Sequence, residues 1–542
     1  MDRDATQPSH SNVARNAGIV SLAIMASRLL GLVRDQVFAV FFGAGLQYDA
    51  FLAAFRIPNL LRDLFAEGAL SAAFVTTFTQ TLQAKGKDAA ILLSRRVATL
   101  IVLVITVVSI VAWIFTPAIV GALAPGFFDV AGKADLTIEL TRIMMPFLLL
   151  VALAAQAMGI LNAFNIYGMP ALASAFFNIG SIVGGVIMGF LLGPVIGLSA
   201  IAGMAYGVLI GGFFQLAVQW PSLNRCGVSY RLGFNFGDPG VRQIIRLIGP
   251  AVIGTAAVQI NVFVNTNFAS AIVDPTTGVV VNGPVSWLNY AFRFMQFPIG
   301  VFGVAVATAT LPSLSRSTAN PDFTEFRQTL SHSLALVFLL CIPSAVGLAV
   351  LAKPIIALIF EHGKFTAFDT AQTANALAAY AVGLAGYGAI KVLSPAFYAL
   401  NDARTPMLIS VGSIVVNYVM NSILVGPFGH VGLAFSTSTV ALVNFFLLAL
   451  FMRRKLQRLD GRRLGDAVLR ICAASVPMAI VAGSINYLAD QLPLQGLMLD
   501  FLRVVSAIAA AALAFYVSCR LLRIEELNEA VAALGGRLLR RR

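Results

Sequence analysis

The sequence is short of charge. Only 11% of its 542 residues are Asp, Glu, Lys or Arg, against roughly 25% in soluble domains, so it cannot coat a water-facing surface of that size. Between Arg142 and Arg225 there is no charged residue at all. At ~20 apolar residues per span, that stretch alone must cross a bilayer several times. Cysteine is scarce as well. Cys226, Cys341, Cys472 and Cys519 lack C-x-x-C spacing, which excludes a disulfide framework or thiolate metal site on this pattern and leaves small hydrophobes. His332 and His430 fall in loops or at span ends without metal-ligand company, so no metal is expected. No clean h-region is present either: the first apolar run follows a polar 16-residue leader and is broken by Arg28. A retained N-terminus is expected.

Apolar residues, by contrast, make up 58% of the chain, and the mean hydropathy is +0.86. Runs bounded by polar, Gly or Pro punctuation predict spans near 15–43, 49–82, 93–121, 137–164, 170–191, 196–219, 243–272, 284–312, 328–352, 369–400, 405–424, 431–452, 467–489 and 498–520. Runs this long without period-two alternation are helices, the form that satisfies every backbone polar group in lipid. The expected fold class is therefore an all-α polytopic membrane protein of about fourteen transmembrane helices.

The scarcer charge is negative: 24 acidic residues stand against 37 basic ones, a net +13. On a soluble chain that balance would suggest nucleic acid. Here an even span count with both termini in the cytoplasm places 26 basic residues on the cytoplasmic side and four (Lys133, Lys353, Lys364 and Arg503) on the other. This is the positive-inside asymmetry, facing anionic membrane lipid, and it leaves no reason to expect a nucleic-acid partner. Seven basic residues remain inside spans: Arg28, Arg34, Arg56, Arg62, Arg142, Arg293 and Lys391.

An internal repeat organises the spans. Ala54-Phe55-Arg56 returns as Ala291-Phe292-Arg293, 237 residues on, and Pro170, Gly193-Pro194 and Phe213-Phe214 return as Pro406, Gly426-Pro427 and Phe445-Phe446 at offsets of 236, 233 and 232. Each match is weak alone; their collinearity is not. The expected division is an N-terminal lobe of six spans over 10–220, a C-terminal lobe of six over 240–455, two extra helices within 465–522 and a basic tail at 523–542. Six is even, so the lobes are parallel repeats, the plan of many secondary transporters.

Arginine at mid-bilayer costs at least ~2.5–3.5 kcal/mol and must face a partner or a wet cavity. Residues seven apart share a helix face, which sets Arg28 above Asp35 and Arg56 above Asp63, whereas neighbours such as Arg34 and Asp35 are expected to point apart. Interhelical Arg–Asp locks account for part of the pattern only. Five arginines (28, 34, 56, 62 and 293) face three carboxylates, Asp35, Asp63 and Glu67. Surplus guanidinium suits phosphate, which its planar fork binds bidentately. Glu67, four residues from Asp63, is a candidate gate. Arg142 and Lys391, near span ends or in polar company, read as snorkelling side chains. Gln259, Asn261, Asn265 and Asn267 on the seventh span, with Asn417 and Asn421 on the eleventh, suit interhelical hydrogen bonds; Asn261 and Asn265 are the alternative choice for a coupling-cation site.

Several of these stretches resemble the MurJ/MviN lipid II flippases: Arg28-Leu-Leu-Gly-Leu-Val-Arg34-Asp35, Phe42-Gly43-Ala44-Gly45, Asp49-Ala50-Phe51, Pro58-Asn59-Leu-Leu-Arg62 with Phe65-Ala66-Glu67-Gly68-Ala69, and Arg293 with Phe297-Pro298, Gly300-Val301 and Leu311-Pro312. The resemblance runs from about residue 15 to 520. It implies membership of the multidrug/oligosaccharidyl-lipid/polysaccharide exporter superfamily and a transporter rather than an enzyme. Its expected substrate is lipid II, a disaccharide-pentapeptide on polyprenyl diphosphate, moved across the bacterial inner membrane by alternating access for peptidoglycan synthesis. Matching positions imply that Arg28, Arg34, Arg62 and Arg293 bind substrate, with Asp35, Asp49, Arg56, Asp63 and Glu67 supporting or gating. The two last helices would form a groove for the lipid tail, and the cell-wall synthesis machinery is a candidate partner. Phe292 departs from the family pattern, in which a polar residue often precedes the arginine. No cofactor is implied, and membrane potential, protons or Na⁺ are each compatible as driving force. Cavity chemistry alone also fits another polyprenyl-diphosphate glycan. A drug or cation antiporter fits less well because the cavity has the wrong sign, and a membrane glycosyl- or phosphotransferase lacks a paired-acid motif.

Overall fold

The computed structural model describes residues 10–64, 71–318, 323–458, 461–491 and 496–528. Among them the secondary structure is helical, apart from one isolated bridge between Val273 and Val280. Nine helices are long and apolar enough to cross a membrane, or ten if a pair bent by 44° counts as one span. The fourteen expected segments fall mainly on helix where they are described. The second falls on helices of 16 and 15 residues, shorter than a span, and the eleventh and twelfth run together as one 52-residue helix.

Packing divides the chain into two units, 1–271 and 272–542. The first holds α1 (His10–Phe42), α2 (Leu46–Leu61), α3 (Ser71–Lys85), α4 (Lys87–Ile114), α5 (Thr116–Leu123), α6 (Lys133–Met144), α7 (Phe147–Ala163), α8 (Gly168–Val186), α9 (Gly193–Ile196), α10 (Ala200–Ala217), α11 (Trp220–Arg225) and α12 (Pro239–Ser270). The seventh span, α12, which the repeat groups with the second lobe, packs in this unit against α3 and α5, and Asn267 Nδ2 donates to the Ala122 carbonyl at 2.8 Å. Repeat and packing answer different questions, one about ancestry and one about contact.

Glycine spacing explains the tightest helix pair. Gly203, Gly207 and Gly211 recur every four residues on α10 and lie against Gly185 and Phe177 of α8 and Gly189 of the π-helical turn Ile187–Leu192 that follows it. A Cβ at Gly207 would stand 2.5 Å from Gly185 Cα, and one at Gly203 would overlap Gly189 Cα. Between apolar helices in lipid, such backbone proximity supplies the van der Waals contact that the hydrophobic effect cannot. α1 then docks on α8, with Asn178 Nδ2 donating to the Ser27 carbonyl at 3.1 Å. Asp238 caps α12 by accepting from the Gly240 and Val241 amides and also pairs with Arg96 of α4.

A buried ion pair joins α2 to α6. Lys133 Nζ lies 2.9 Å from Asp49 Oδ2 with both side chains out of solvent, and the same ammonium sits 4.1 Å from the centroid of Phe127. Lys133, which the charge count assigns only to the non-cytoplasmic side, is thus buried against α2. An ammonium next to a fully buried carboxylate costs less than either charge alone, because each supplies the solvation that the interior lacks.

The second unit holds α13 (Pro284–Pro298), α14 (Val304–Ser317), α15 (Thr324–Val350), α16 (Ala352–Phe360), α17 (Ala367–Ala381), α18 (Leu384–Ala399), α19 (Arg404–Lys455), α20 (Gly461–Asp490) and α21 (Leu497–Leu521). α19 is folded at Gly429, where φ is +54° and ψ −134°, a backbone that glycine adopts without a Cβ penalty. α13 is tied to α17 by Trp287 Nε1 donating to Asp369 Oδ1 at 2.9 Å. The other Asp369 oxygen closes the capping box of α17 with Thr366. This tie stands where the repeat predicts a counterpart of Asp49–Lys133: Trp287 is 238 residues beyond Asp49 and Asp369 is 236 beyond Lys133. Each expected lobe thus fastens its second span to its fourth, once with an ion pair and once with an indole–carboxylate bond. α20 and α21 pair with each other and with α15.

Outside the spans, Asp402 accepts from Lys455 Nζ at 2.8 Å and from Thr405, closing the base of α19. The Lys455 hydrogen bond is the main cause that holds the Asp402 carboxyl down at about 2.

Two outcomes are expected. Lys133→Met should destabilise the protein by about 3–5 kcal/mol, because the buried Asp49 carboxylate loses its ammonium, whereas Lys133→Met with Asp49→Leu should recover most of the loss; thermal unfolding of the purified chain measures both. Asp402 is depressed in the folded state, so its contribution is present above about pH 4, the ordinary carboxylate value, and is lost as pH falls towards 2. Asp402→Asn should flatten the pH dependence of the unfolding temperature in that window.

Candidate substrate-binding arginines

The intramembrane arginines are positioned by elements of both units. In the first, Arg28, Arg34 and Asp35 lie on α1, and Arg56, Arg62 and Asp63 lie on α2 or at its end. Arg34 is half-buried and Asp35 buried, with Nη2 3.4 Å from Oδ1. The Arg34 guanidinium also stands 5.9 Å from the Phe177 ring centroid of α8. Arg62 holds Asp63 with Nη2 at 2.9 Å and Nε at 3.2 Å from the same oxygen. Both adjacent pairs correct the expectation that neighbours point apart. Their Cβ vectors do diverge, but a guanidinium on a three-carbon stem folds back across the turn to reach the next side chain.

Asp63 has a second partner. Gln259 Nε2 of α12 donates to Asp63 Oδ2 at 3.1 Å, so this carboxylate is shared between an arginine and the seventh span. Arg28 and Arg56 also make polar interactions, Arg28 from an exposed position and Arg56 from a half-buried one. Asn261 and Asn265 are half-buried one turn apart further along α12. Glu67 lies outside the described residues.

In the second unit Arg293 sits half-buried on α13, in a polar stripe of Asn289, Arg293 and Gln296 at positions i, i+4 and i+7. Phe292, the departure from the family pattern, packs edge-on against Tyr380 of α17 at 5.4 Å, a structural use for an apolar side chain there. The helices carrying the arginines share a backbone irregularity. Residues 62–64 are π-helical at the end of α2, and Ile299–Gly303 are π-helical between α13 and α14, again 237 residues apart at their first residues. Such π turns often mark functional sites, because they free a carbonyl and re-aim the side chains beyond.

Of the two snorkelling candidates, Arg142 lies over the Trp113 ring at 4.8 Å and donates to its carbonyl; Lys391 stands in the body of α18, eight residues before its end. Lys133 was the residue that spacing missed. A signal was present, since Lys133, Thr137 and Thr141 make a stripe at i, i+4 and i+8, all three buried. Gln259 was legible as a hydrogen-bonding residue, but its carboxylate partner on another helix was not.

With this geometry in hand, comparison with known proteins is specific. Residues 38–506 match the family described as Lipid II flippase MurJ. The chain is 36% identical over 449 residues to the lipid II flippase MurJ of Burkholderia cenocepacia, covering 82% of this chain and 84% of that protein. It is 33% identical over 518 residues to a protein described as a probable lipid II flippase MurJ in Rhizobium meliloti, covering 93% of each. Among solved structures, lipid II flippase MurJ in an inward closed conformation superposes with a TM-score of 0.75 at 27% identity, covering 93% of this chain and 99% of that one. An inward-facing multidrug resistance MATE family transporter of the MOP superfamily shares the fold at a TM-score of 0.65 and 16% identity, covering 81% and 98%. Arginines on spans, a twice-repeated helix plan and matches along nearly the whole chain agree: it belongs to the lipid II flippase MurJ family of membrane transporters.

Proposed function

We propose that the chain moves lipid II from the cytoplasmic to the periplasmic leaflet of the bacterial inner membrane. The polyprenyl diphosphate is bound by Arg28, Arg34, Arg62 and Arg293, which are exposed alternately to the two sides of the membrane. The observation that carries this reading is the charge balance on the arginine-bearing spans: Arg28, Arg34, Arg56, Arg62 and Arg293 against Asp35, Asp63 and Glu67. Even with Arg34 and Arg62 each touching a carboxylate, the set carries net positive charge in a medium that disfavours it, and a diphosphate supplies the missing negative charge. A guanidinium already hydrogen-bonded to Asp35 or Asp63 is also held in place, so less rotamer freedom is lost when phosphate arrives. Gln259 on Asp63 extends that support to α12. Asp49, paired with Lys133, acts in this reading on the α2 backbone that presents Arg56 and Arg62, not on substrate. The last two helices, α20 and α21, would carry the polyprenyl tail, and Asn261 and Asn265 would offer neutral oxygens to a coupling cation.

Arg28→Ala and Arg293→Ala should each reduce translocation of labelled lipid II in proteoliposomes by at least about 100-fold, the loss of one charge-assisted bidentate contact from a desolvated site, while the protein still inserts and folds. Lysine at either position should restore little of this, because it offers a point charge and not a fork. Full complementation of a depleted essential flippase by either alanine variant overturns the assignment.

A further inference from the structure

Lys391 is the one intramembrane cation left without a role, and its surroundings are unusual for this protein. Exposed helix surfaces elsewhere are largely apolar: α4 exposes Leu103, Val107, Ile110 and Ile114, and α21 exposes Phe501, Val505 and Ile508. The least covered stripe of α18 is different. It reads Tyr387, Lys391, Ser394 and Tyr398, at i, i+4, i+7 and i+11, one helical face of hydroxyls and an ammonium on which Lys391 and Tyr398 are exposed and Tyr387 and Ser394 half-buried. The opposite face (Leu384, Ala389, Val392, Leu393, Ala396 and Phe397) is buried. A helix that turned this polar stripe to hydrocarbon would incur the full cost of an unpaired ammonium. Among the described residues no carboxylate lies within ion-pairing distance of Lys391. The stripe therefore lines water, and its cation is available to a ligand.

The position of Lys391 relative to Arg293 identifies which part of a ligand it can meet. α18 seats against the π turn that ends α13. A Cβ at Gly303 would lie 3.4 Å from Gly388 Cα and 3.8 Å from Lys391 Cγ, so the lysine stem rests on Gly303. Gly303 follows Arg293 by ten residues of continuous helical backbone, about 15 Å along the span at 1.5 Å per residue. That separation is between backbone positions, and it places the two side chains at different depths of the span. The group that meets Lys391 while phosphate is held at Arg293 is therefore read as a second anion on the same substrate. An ammonium with three rotatable donors suits a carboxylate, needing no planar fork.

We propose that Lys391 is a specificity-determining residue that binds a carboxylate of the substrate's peptide. It thereby separates peptide-bearing lipid II from other glycans on the same polyprenyl diphosphate, a distinction the arginines cannot make. This rests on Arg293 binding phosphate, as proposed above.

The test uses the full chain in nanodiscs and two probes: lipid II, and the same lipid-linked disaccharide without its peptide. Lys391→Gln should weaken lipid II binding about tenfold, the loss of one charged hydrogen-bonded contact, and leave the peptide-free lipid unchanged; Lys391→Arg should retain the preference. Arg293→Ala should weaken both lipids alike. In a chain carrying Cys472→Ser, the cysteine of Lys391→Cys should react with a membrane-impermeant thiol reagent and be protected by lipid II. Equal weakening of both lipids by Lys391→Gln, no weakening of either, or an unreactive cysteine at 391 overturns the proposal. If instead Arg293→Ala leaves both affinities intact while Lys391→Gln stays selective, the phosphate reading fails and the peptide contact survives.

Discussion

A charge inside a bilayer has no water to hydrate it, and nearly everything distinctive about this protein answers that one constraint. Charge is therefore rare along the chain, and where it enters the spans it is answered to different degrees by neighbouring side chains. The answers differ in kind. Asp49 and Lys133 neutralise each other completely and out of solvent, so they organise structure and offer nothing to a ligand. Arg34 and Arg62 touch carboxylates while remaining half-buried, which positions a guanidinium and leaves part of its fork open. Lys391 meets no carboxylate among the described residues and sits in a stripe of hydroxyls. On the proposed function, the gradient from fully compensated to uncompensated charge separates scaffold from site.

The same medium removes the hydrophobic effect as a glue between helices, and small residues take its place. The α8–α10 pair closes on glycines that no Cβ could replace without backbone overlap. The α18 helix closes on the π turn through Gly303 and Gly388. At the first contact the result is a rigid wall for α1, and at the second a fixed seat for Lys391. Glycine spacing thus converts directly into the placement of charged side chains.

The repeat gives these devices a shared logic. The tie between the second and fourth spans appears in both units at matching positions, yet its chemistry has been exchanged: carboxylate on α2 and ammonium on α6 in one, indole on α13 and carboxylate on α17 in the other. The π turns at 62 and 299 match in the same way. What the two units keep in common is the location of a fastening and of a backbone break, while the residues that supply them have diverged.

How much of this was legible beforehand follows from the range of each interaction. Helices, their approximate bounds, the repeat and the candidate arginines rest on period, composition and order along the chain, which are properties of sequence alone. Membership of the flippase family rests on motifs that are contiguous. The partner of Asp49, 84 residues away at Lys133, and the partner of Asp63, 196 residues away at Gln259, are set by which helix faces meet, and no local pattern encodes that. Spacing even misled at Arg34 and Arg62, since Cβ direction says little about where a long guanidinium ends. Likewise, an ammonium on a span reads the same whether it snorkels or lines water. Only the folded neighbours of α18 show that its aliphatic face is buried while Lys391 and Tyr398 are exposed.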